Sequence, residues 1–283
     1  TLPVSIFTGI AAYLVFALIP ELDAAGTAMA PFFDAMLPVF MFCVLFVTFC
    51  KVDYRKLRPV WWHLWVGVFQ VLTIALVMAF IMGLHLSGLP LVLAEAVLTC
   101  IIAPCASAAP VVTQKIGGDL EQMTTFTFLS NFITALLVPV CFPLIDKAAD
   151  MTFLTAFAAI LNRVFSVLVM PMVLAYIVKH ATPGLCRRIT EVKDLSYYLW
   201  GCSLLIVSGT TMKNIFHASC SLSFLLLIAF ASLMLCFVQF AVGRYIGRHF
   251  GQTENAGQAM GQKNTAFAIW IASTYLTPLS SVG

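Results

Sequence analysis

Charge is what this sequence has least of. Only 12 acidic and 15 basic residues occur among 283, so charged residues make up 10% of the chain. No polar run is long enough to build a soluble domain, and no basic cluster is large enough to engage nucleic acid. Catalytic and metal signatures are missing too. There is no Gly-x-Ser-Gly elbow, no His-Glu-x-x-His and no pair of membrane aspartates, so no nucleophile stands beside a base and no catalytic residue is expected. The nine cysteines, at 43, 50, 100, 105, 141, 186, 202, 220 and 236, form no Cys-x-x-Cys pair and have no histidine at ligand spacing. Free buried thiols are expected, with neither a disulfide framework nor a metal site, and Cys105 beside Pro104 is the one to watch for soft-metal chemistry.

What fills the chain instead is apolar. Hydrophobic residues reach 61% and the mean hydropathy is +1.01, which belongs to a polytopic membrane protein in a lipid bilayer. Nine apolar segments are long enough to span: 3–20, 29–50, 60–84, 91–117, 122–145, 152–179, 195–213, 221–247 and 256–277. The first has no basic leader or small-residue cleavage site and reads as a true span. Lys and Arg collect after the even-numbered segments (Lys51, Arg55, Lys56, Arg58, Lys115, Lys179, Arg187, Arg188, Lys193, Arg244, Arg248), against Lys147 and Lys213 on the other side. That asymmetry puts the N-terminus in the cytoplasm. Trp61, Trp62 and Trp65 read as an interfacial belt. Asp34 reads as a capping or snorkelling residue, and Gln70 as interhelical glue or a ligand.

Two stretches break the apolar pattern at membrane depth. In 254–271, Gly257, Gln258, Gly261, Gln262, Lys263 and Asn264 precede an apolar half-helix that begins at Thr265. A Lys at the bilayer centre costs about 2.5–3.5 kcal/mol, and irregular backbone survives there only inside protein or along a wet cavity. In the fourth segment Pro104 and Pro110 flank the small-residue run Ala106-Ser107-Ala108-Ala109, so its helix should break near Cys105–Ala109. Two broken helices in corresponding places of two halves point to a transporter site at crossing helices, and their five-segment separation implies a five-plus-five inverted repeat. Gly257 and Gly261 should permit the close approach, and Gln262 and Asn264 should satisfy freed backbone groups.

With these motifs assembled, the chain resembles the bile acid:sodium symporter family, in a bacterial-type form. Ala103-Pro-Cys-Ala-Ser-Ala-Ala-Pro-Val-Val-Thr-Gln-Lys-Ile-Gly-Gly-Asp119 looks like the family's Pro-Gly-Gly-x-x-Ser-Asn-x-x-Thr segment. Leu137-Val-Pro-Val-Cys-Phe-Pro143 is similar to its doubled-proline fifth span, Ile160–Pro171 to its sixth, and Gly261-Gln-Lys-Asn-Thr-Ala-Phe-Ala268 to its Gly-x-Gln-Asn-x-x-Leu-Ala crossover. The resemblance implies an all-α transporter with two crossing discontinuous helices, a core domain over about 60–145 and 195–277, a panel domain over about 3–50 and 152–179, a location in a bacterial inner membrane, and a tenth helix beyond Gly283. It also implies uptake of small organic anions, of bile-acid or carboxylate type, by alternating access as the two domains rock. Ser107 and Ala108, with Asn264 and Thr265, then stand at the half-helix starts that face the anion.

The departures decide the coupling. Where the family carries a Glu before and a Gln after the crossover Gly, a Ser-Asn pair and two hydroxyls, this chain has Ala259, Lys263, Ala109, Pro110, Met123 and Thr127. Only Thr127 and Gln70 remain as residual sodium ligands. The expectation is therefore a transporter without sodium coupling or any other cofactor, in which the Lys263 ammonium fills the cation's place. The alternatives are a symporter binding sodium through carbonyls, Gln70 and Thr127, a Lys263 that snorkels or pairs with Glu95, a metalloid exporter built on Cys105, and a retinal-type Lys photoprotein. Substrate identity, transport direction and oligomeric state stay open.

Overall fold

A computed structural model describes residues 2–145, 152–192 and 194–283; Lys147 and Lys193, used above for orientation, lie outside the described residues. The fold is all-α. The helices are α1 (Leu2–Leu18), α2 (Pro20–Lys51), α3 (Trp61–Gly83), α4 (Gly88–Ile102), α5 (Ala109–Lys115), α6 (Leu120–Ile145), α7 (Phe153–Leu168), α8 (Met170–Ala181), α9 (Pro183–Glu191), α10 (Leu195–Phe216), α11 (Leu222–Arg248), α12 (Thr253–Gly261) and α13 (Thr265–Tyr275). Short 3-10 turns cover Tyr54–Lys56 and Pro278–Val282.

Among the described residues four helices are each long and apolar enough to cross a bilayer: α2 from Ala24, α3, α6 and α11. Taken as one bent span, α7 and α8 make a fifth. This is fewer than the nine apolar segments because the chain divides three of them, while α1 is short, at 17 residues, and α10 is not among the helices that pass on length and hydropathy. Segment four is split between α4 and α5, segment nine between α12 and α13, and segment six at Val169, two residues before Pro171, whose ring and missing N–H interrupt the turn behind it. The second segment was expected to begin near 29, yet α2 starts at Pro20 and runs through Pro31 and Pro38. Pro20 fits a first helical position, where no backbone N–H is needed. Asp34 consequently sits mid-helix, within the apolar window, and not at a helix end.

The described residues form two compact units, one drawn from Thr1–Lys51 and Ser166–Cys220 with Val282, the other from Val52–Phe165 and Ser221–Ser281 with Gly283. In the first unit α10 packs against α1 and α2, and α8 and α9 pack against α2. Glycine makes the α1–α10 contact possible: a Cβ on Gly9 would fall 2.1 Å from the Leu205 carbonyl oxygen, and one on Gly209 would meet the Gly9 carbonyl oxygen. Small residues of this kind let membrane helices touch backbone to backbone. Segment 195–213, expected with 60–145, is held with α1 for that reason.

The second unit has a core of Trp62, Val66, Cys105, Ala109, Met123, Phe126, Ala256, Ala259 and Met260. It gathers Cys105 and Ala109 from the first chain break with Ala256, Ala259 and Met260 from the helix before the second. Trp62 is 1% exposed, stacks on Phe126 and donates its indole N–H to Gln122 Oε1 at 2.7 Å. The expected tryptophan belt therefore loses its middle member, since Trp61 and Trp65 share the outer face of α3, one turn apart, while Trp62 points inward. Helices α11 and α12 pack along glycines. A Cβ on Gly243 would lie 2.3 Å from the Ala256 carbonyl oxygen, and one on Gly247 at 2.3 Å from that of Gln252.

Candidate functional site

The site lies in the second unit, where two interrupted helices meet. Helix α4 stops at Ile102 and the chain does not turn helical again until Ala109. Pro104 has no N–H to give the Cys100 carbonyl, and the next amides are diverted: Cys105 N–H donates to Ser130 Oγ at 2.8 Å, and Ala106 N–H to the Gln262 carbonyl at 2.9 Å. Pro110 falls in the first turn of α5, where its ring is tolerated, so it marks the restart of the helix and not a second break. On the other strand of the contact α12 ends at Gly261 and α13 begins at Thr265. Cys105 and Lys263 face each other as an isolated antiparallel bridge, closed by Ala106 N–H to Gln262 and by Asn264 N–H to the Pro104 carbonyl at 2.9 Å. In such a pair the two side chains leave from the same side and stand close.

The end of α4 leaves a set of carbonyls without helical partners, and side chains take them one by one. Gln239 Nε2 reaches the Cys100 carbonyl at 3.5 Å, the limit for a hydrogen bond. Gln70 Nε2 donates to Ile101 at 3.0 Å, and Thr134 Oγ1 to Ile102 at 2.8 Å. Lys263 Nζ donates to both Ile101, at 3.0 Å, and Ala103, at 3.2 Å. Ile102 and Ala103 are fully buried. A buried carbonyl left unmatched costs about 1–3 kcal/mol, so these donors hold the break open and ordered.

The sequence-derived residues are distributed as follows. Lys263 and Gln70 converge on the Ile101 carbonyl. Thr127, by contrast, donates its hydroxyl to the Met123 carbonyl of its own helix, and Ala259 is buried in the apolar core. Gln262 contributes through its backbone, whose oxygen takes Ala106 N–H and whose N–H goes to Gln258. Asn264 caps α13, its Oδ1 accepting Phe267 N–H at 3.2 Å. Thr265 is exposed, and Ser107 and Ala108 are half-buried in the turn before α5. The two glycines act differently from expectation: a Cβ on Gly257 would meet Arg244 Cγ at 2.6 Å, and one on Gly261 would enter the Phe240 ring at 2.3 Å. The atoms nearest these glycines belong to α11 side chains and not to the α4–α5 segment. Glu95 Oε2 accepts Thr277 N–H at 3.1 Å, which ties the chain after α13 to α4.

Several working residues were not singled out from the sequence. Ser130 and Thr134 lie one turn apart on α6 and, with Thr127 and Asn131, make a polar stripe in an otherwise apolar helix; that spacing was the available signal. Gln239 is the one amide side chain in α11, with no such run of polar residues around it. Asn255 clamps the loop before α6 by accepting Asp119 N–H at 2.8 Å and donating to the Asp119 carbonyl at 2.7 Å. Outside the apolar segments, Lys56 pairs with Glu121, and that carboxylate raises the ammonium pKa above its ordinary value through the hydrogen bond first and charge second. Among the described residues no three His, Cys, Asp or Glu side chains gather as metal ligands.

Comparison with curated proteins gave no match. Comparison with family models did: residues 38–218, well over half of the chain, match the sodium bile acid symporter family. The matched stretch contains the α4–α5 break with Gln70, Ser130 and Thr134, and ends before Gln239 and Lys263. With apolar spanning helices and a match of this extent, the chain is an integral membrane protein of a transporter family, and it belongs to the sodium bile acid symporter family.

Proposed function

We propose that this family member carries a small organic anion by alternating access and does so without sodium coupling, because the Lys263 ammonium takes the place of the cation at the α4 break. One observation carries the reading: Lys263 Nζ lies 3.0 and 3.2 Å from the carbonyl oxygens of Ile101 and Ala103, an arrangement that a bound cation would otherwise satisfy. Gln70 and Thr127, the residual sodium ligands, both act as donors: Gln70 at the same break, and Thr127 within its own helix. The Gln70 amide donates its N–H to Ile101, and the Thr127 hydroxyl donates to Met123. On this reading the two interrupted helices are the crossing pair of a five-plus-five repeat. Ser107 and Ala108, together with Asn264 and Thr265, face the anion, and the N-terminus is cytoplasmic in a bacterial inner membrane. The apolar surroundings of the break supply the low dielectric that makes a fixed positive charge effective on an anion.

Uptake by proteoliposomes of a radiolabelled carboxylate panel, under matched sodium and potassium gradients, tests the proposal. Equal rates in the two salts are expected for every substrate carried. A rate that depends on inward sodium, in the unmodified chain, overturns the uncoupled reading and restores the family's symport.

A further inference from the structure

The first unit contains a cavity of about 490 Å³ between α1, α2 and α10. That volume lies in the range of small-molecule sites, and most of its wall is apolar, with Phe16 and Ile206 among the lining residues. Charges of both signs line the same space: Asp34 from α2, Lys213 from the last turn of α10, and His217 just after that helix. Among the described residues neither Asp34 nor Lys213 joins an ion pair. His217 is held in place by its ring contacts with Tyr13 and Phe216. An ionisable residue inside an apolar span is costly unless it has work to do, and Asp34 lies inside the apolar window Ala24–Lys51.

Helix register gives the axial offset of the positions that carry these charges. Gly26 packs on Phe16, and the short turn at Ile19 makes α1 and α2 antiparallel, so Asp34 stands near the level of Gly9. Gly9 in turn packs on Leu205 and Gly209. Lys213 is one turn past Gly209, which separates it from Asp34 by roughly 8 Å along the axis. We infer that the cavity binds an amphipathic zwitterion, an apolar body with an ammonium directed at Asp34 and an acid group directed at Lys213 and His217. This site is distinct in residues from the α4 break and does not depend on the uncoupled reading.

Isothermal titration of the purified full chain in uncharged detergent, with ω-aminooctanoate, octanoate and octylamine as probes, tests the inference. The zwitterion should bind saturably and about tenfold more tightly than either single-charge probe. Asp34→Asn should erase its advantage over octanoate, Asp34→Glu should keep it, and Lys213→Gln should erase its advantage over octylamine. Lys263→Gln should change none of these. Equal affinity of ω-aminooctanoate and octanoate in the unmodified chain, no saturable binding, or an advantage that survives Asp34→Asn overturns the proposal.

Discussion

Replacing Lys263 with Met removes an ammonium while keeping a long apolar side chain, and its cost can be worked from the contacts. The Ile101 carbonyl retains Gln70 as donor at 3.0 Å, whereas the fully buried Ala103 carbonyl loses Lys263. One orphaned buried carbonyl costs about 1–3 kcal/mol. The two charge-assisted bonds, at about 1.5–3 kcal/mol each, are set against about 2.5–3.5 kcal/mol for a Lys at membrane depth, leaving a further small loss. A net destabilisation of about 2–4 kcal/mol follows, which at about 2–4 °C per kcal/mol for a chain of this order lowers the thermal midpoint by roughly 5–15 °C.

The informative version of the measurement follows intrinsic tryptophan fluorescence through thermal unfolding in detergent, in sodium and in potassium chloride at equal ionic strength. The unmodified chain should unfold at the same temperature in both, because a ligand raises the midpoint only by binding the folded state. Ala259→Glu combined with Lys263→Gln places a carboxylate and an amide where the family carries them and removes the competing charge. That double variant should gain a sodium-specific rise, reaching about 2.7 kcal/mol at a sodium concentration a hundred times its dissociation constant. A rise of several degrees for the unmodified chain in sodium, or a Lys263→Met variant as stable as the parent, refutes the reasoning.

Two further outcomes follow from the packing. Gly243→Ala should abolish folded protein on size-exclusion chromatography, since the new methyl would lie 2.3 Å from the Ala256 carbonyl oxygen, while Gly83→Ala, with open space around it, should be tolerated. Asn264→Leu should lower the thermal midpoint by the loss of the α13 cap, about 0.5–2 kcal/mol, and Asn264→Ser should recover most of it, so anion binding at this position is properly tested with Ser against Leu.

The break in each helix was legible because its causes are local: Pro104 cannot donate, and a Lys among Gly, Gln and Asn cannot be left in lipid. What satisfied those breaks was not legible, because it comes from elsewhere in the chain. Ser130, Thr134 and Gln239 reach the α4 carbonyls from α6 and α11, and nothing in a single sequence states which of many buried polar residues meets a given carbonyl. The role of glycine was misjudged for a related reason. Spacing at 257 and 261 announces a close approach without naming the partner, and the partner proved to be Arg244 and Phe240 of α11. The start of α2 was missed because Pro20 was counted with the first segment, whereas a proline fits a first helical position, which needs no N–H. Asp34 was placed near a helix end with the late start of its segment; with α2 beginning at Pro20 it stands mid-helix and lines the cavity between α1, α2 and α10.

A tethered ammonium and a free sodium ion differ less in the carbonyls they hold than in the thermodynamic cycle they belong to. A ligand shifts a conformational equilibrium only by the difference in its affinity for the two states. A sodium ion that binds and leaves can lend that difference to uphill transport, because its chemical potential differs across the membrane. Lys263 is covalently part of the chain and meets the Ile101 and Ala103 carbonyls at the same effective concentration whatever the ionic gradient. On the proposed reading it therefore stabilises the break without contributing a driving force. With no other coupling ion, net flux then runs down the substrate's own gradient or exchanges one anion for another. Counterflow in sodium-free medium separates this from symport: vesicles preloaded with unlabelled substrate should accumulate labelled substrate with no sodium on either side, and accumulation that requires sodium contradicts the tethered-cation account.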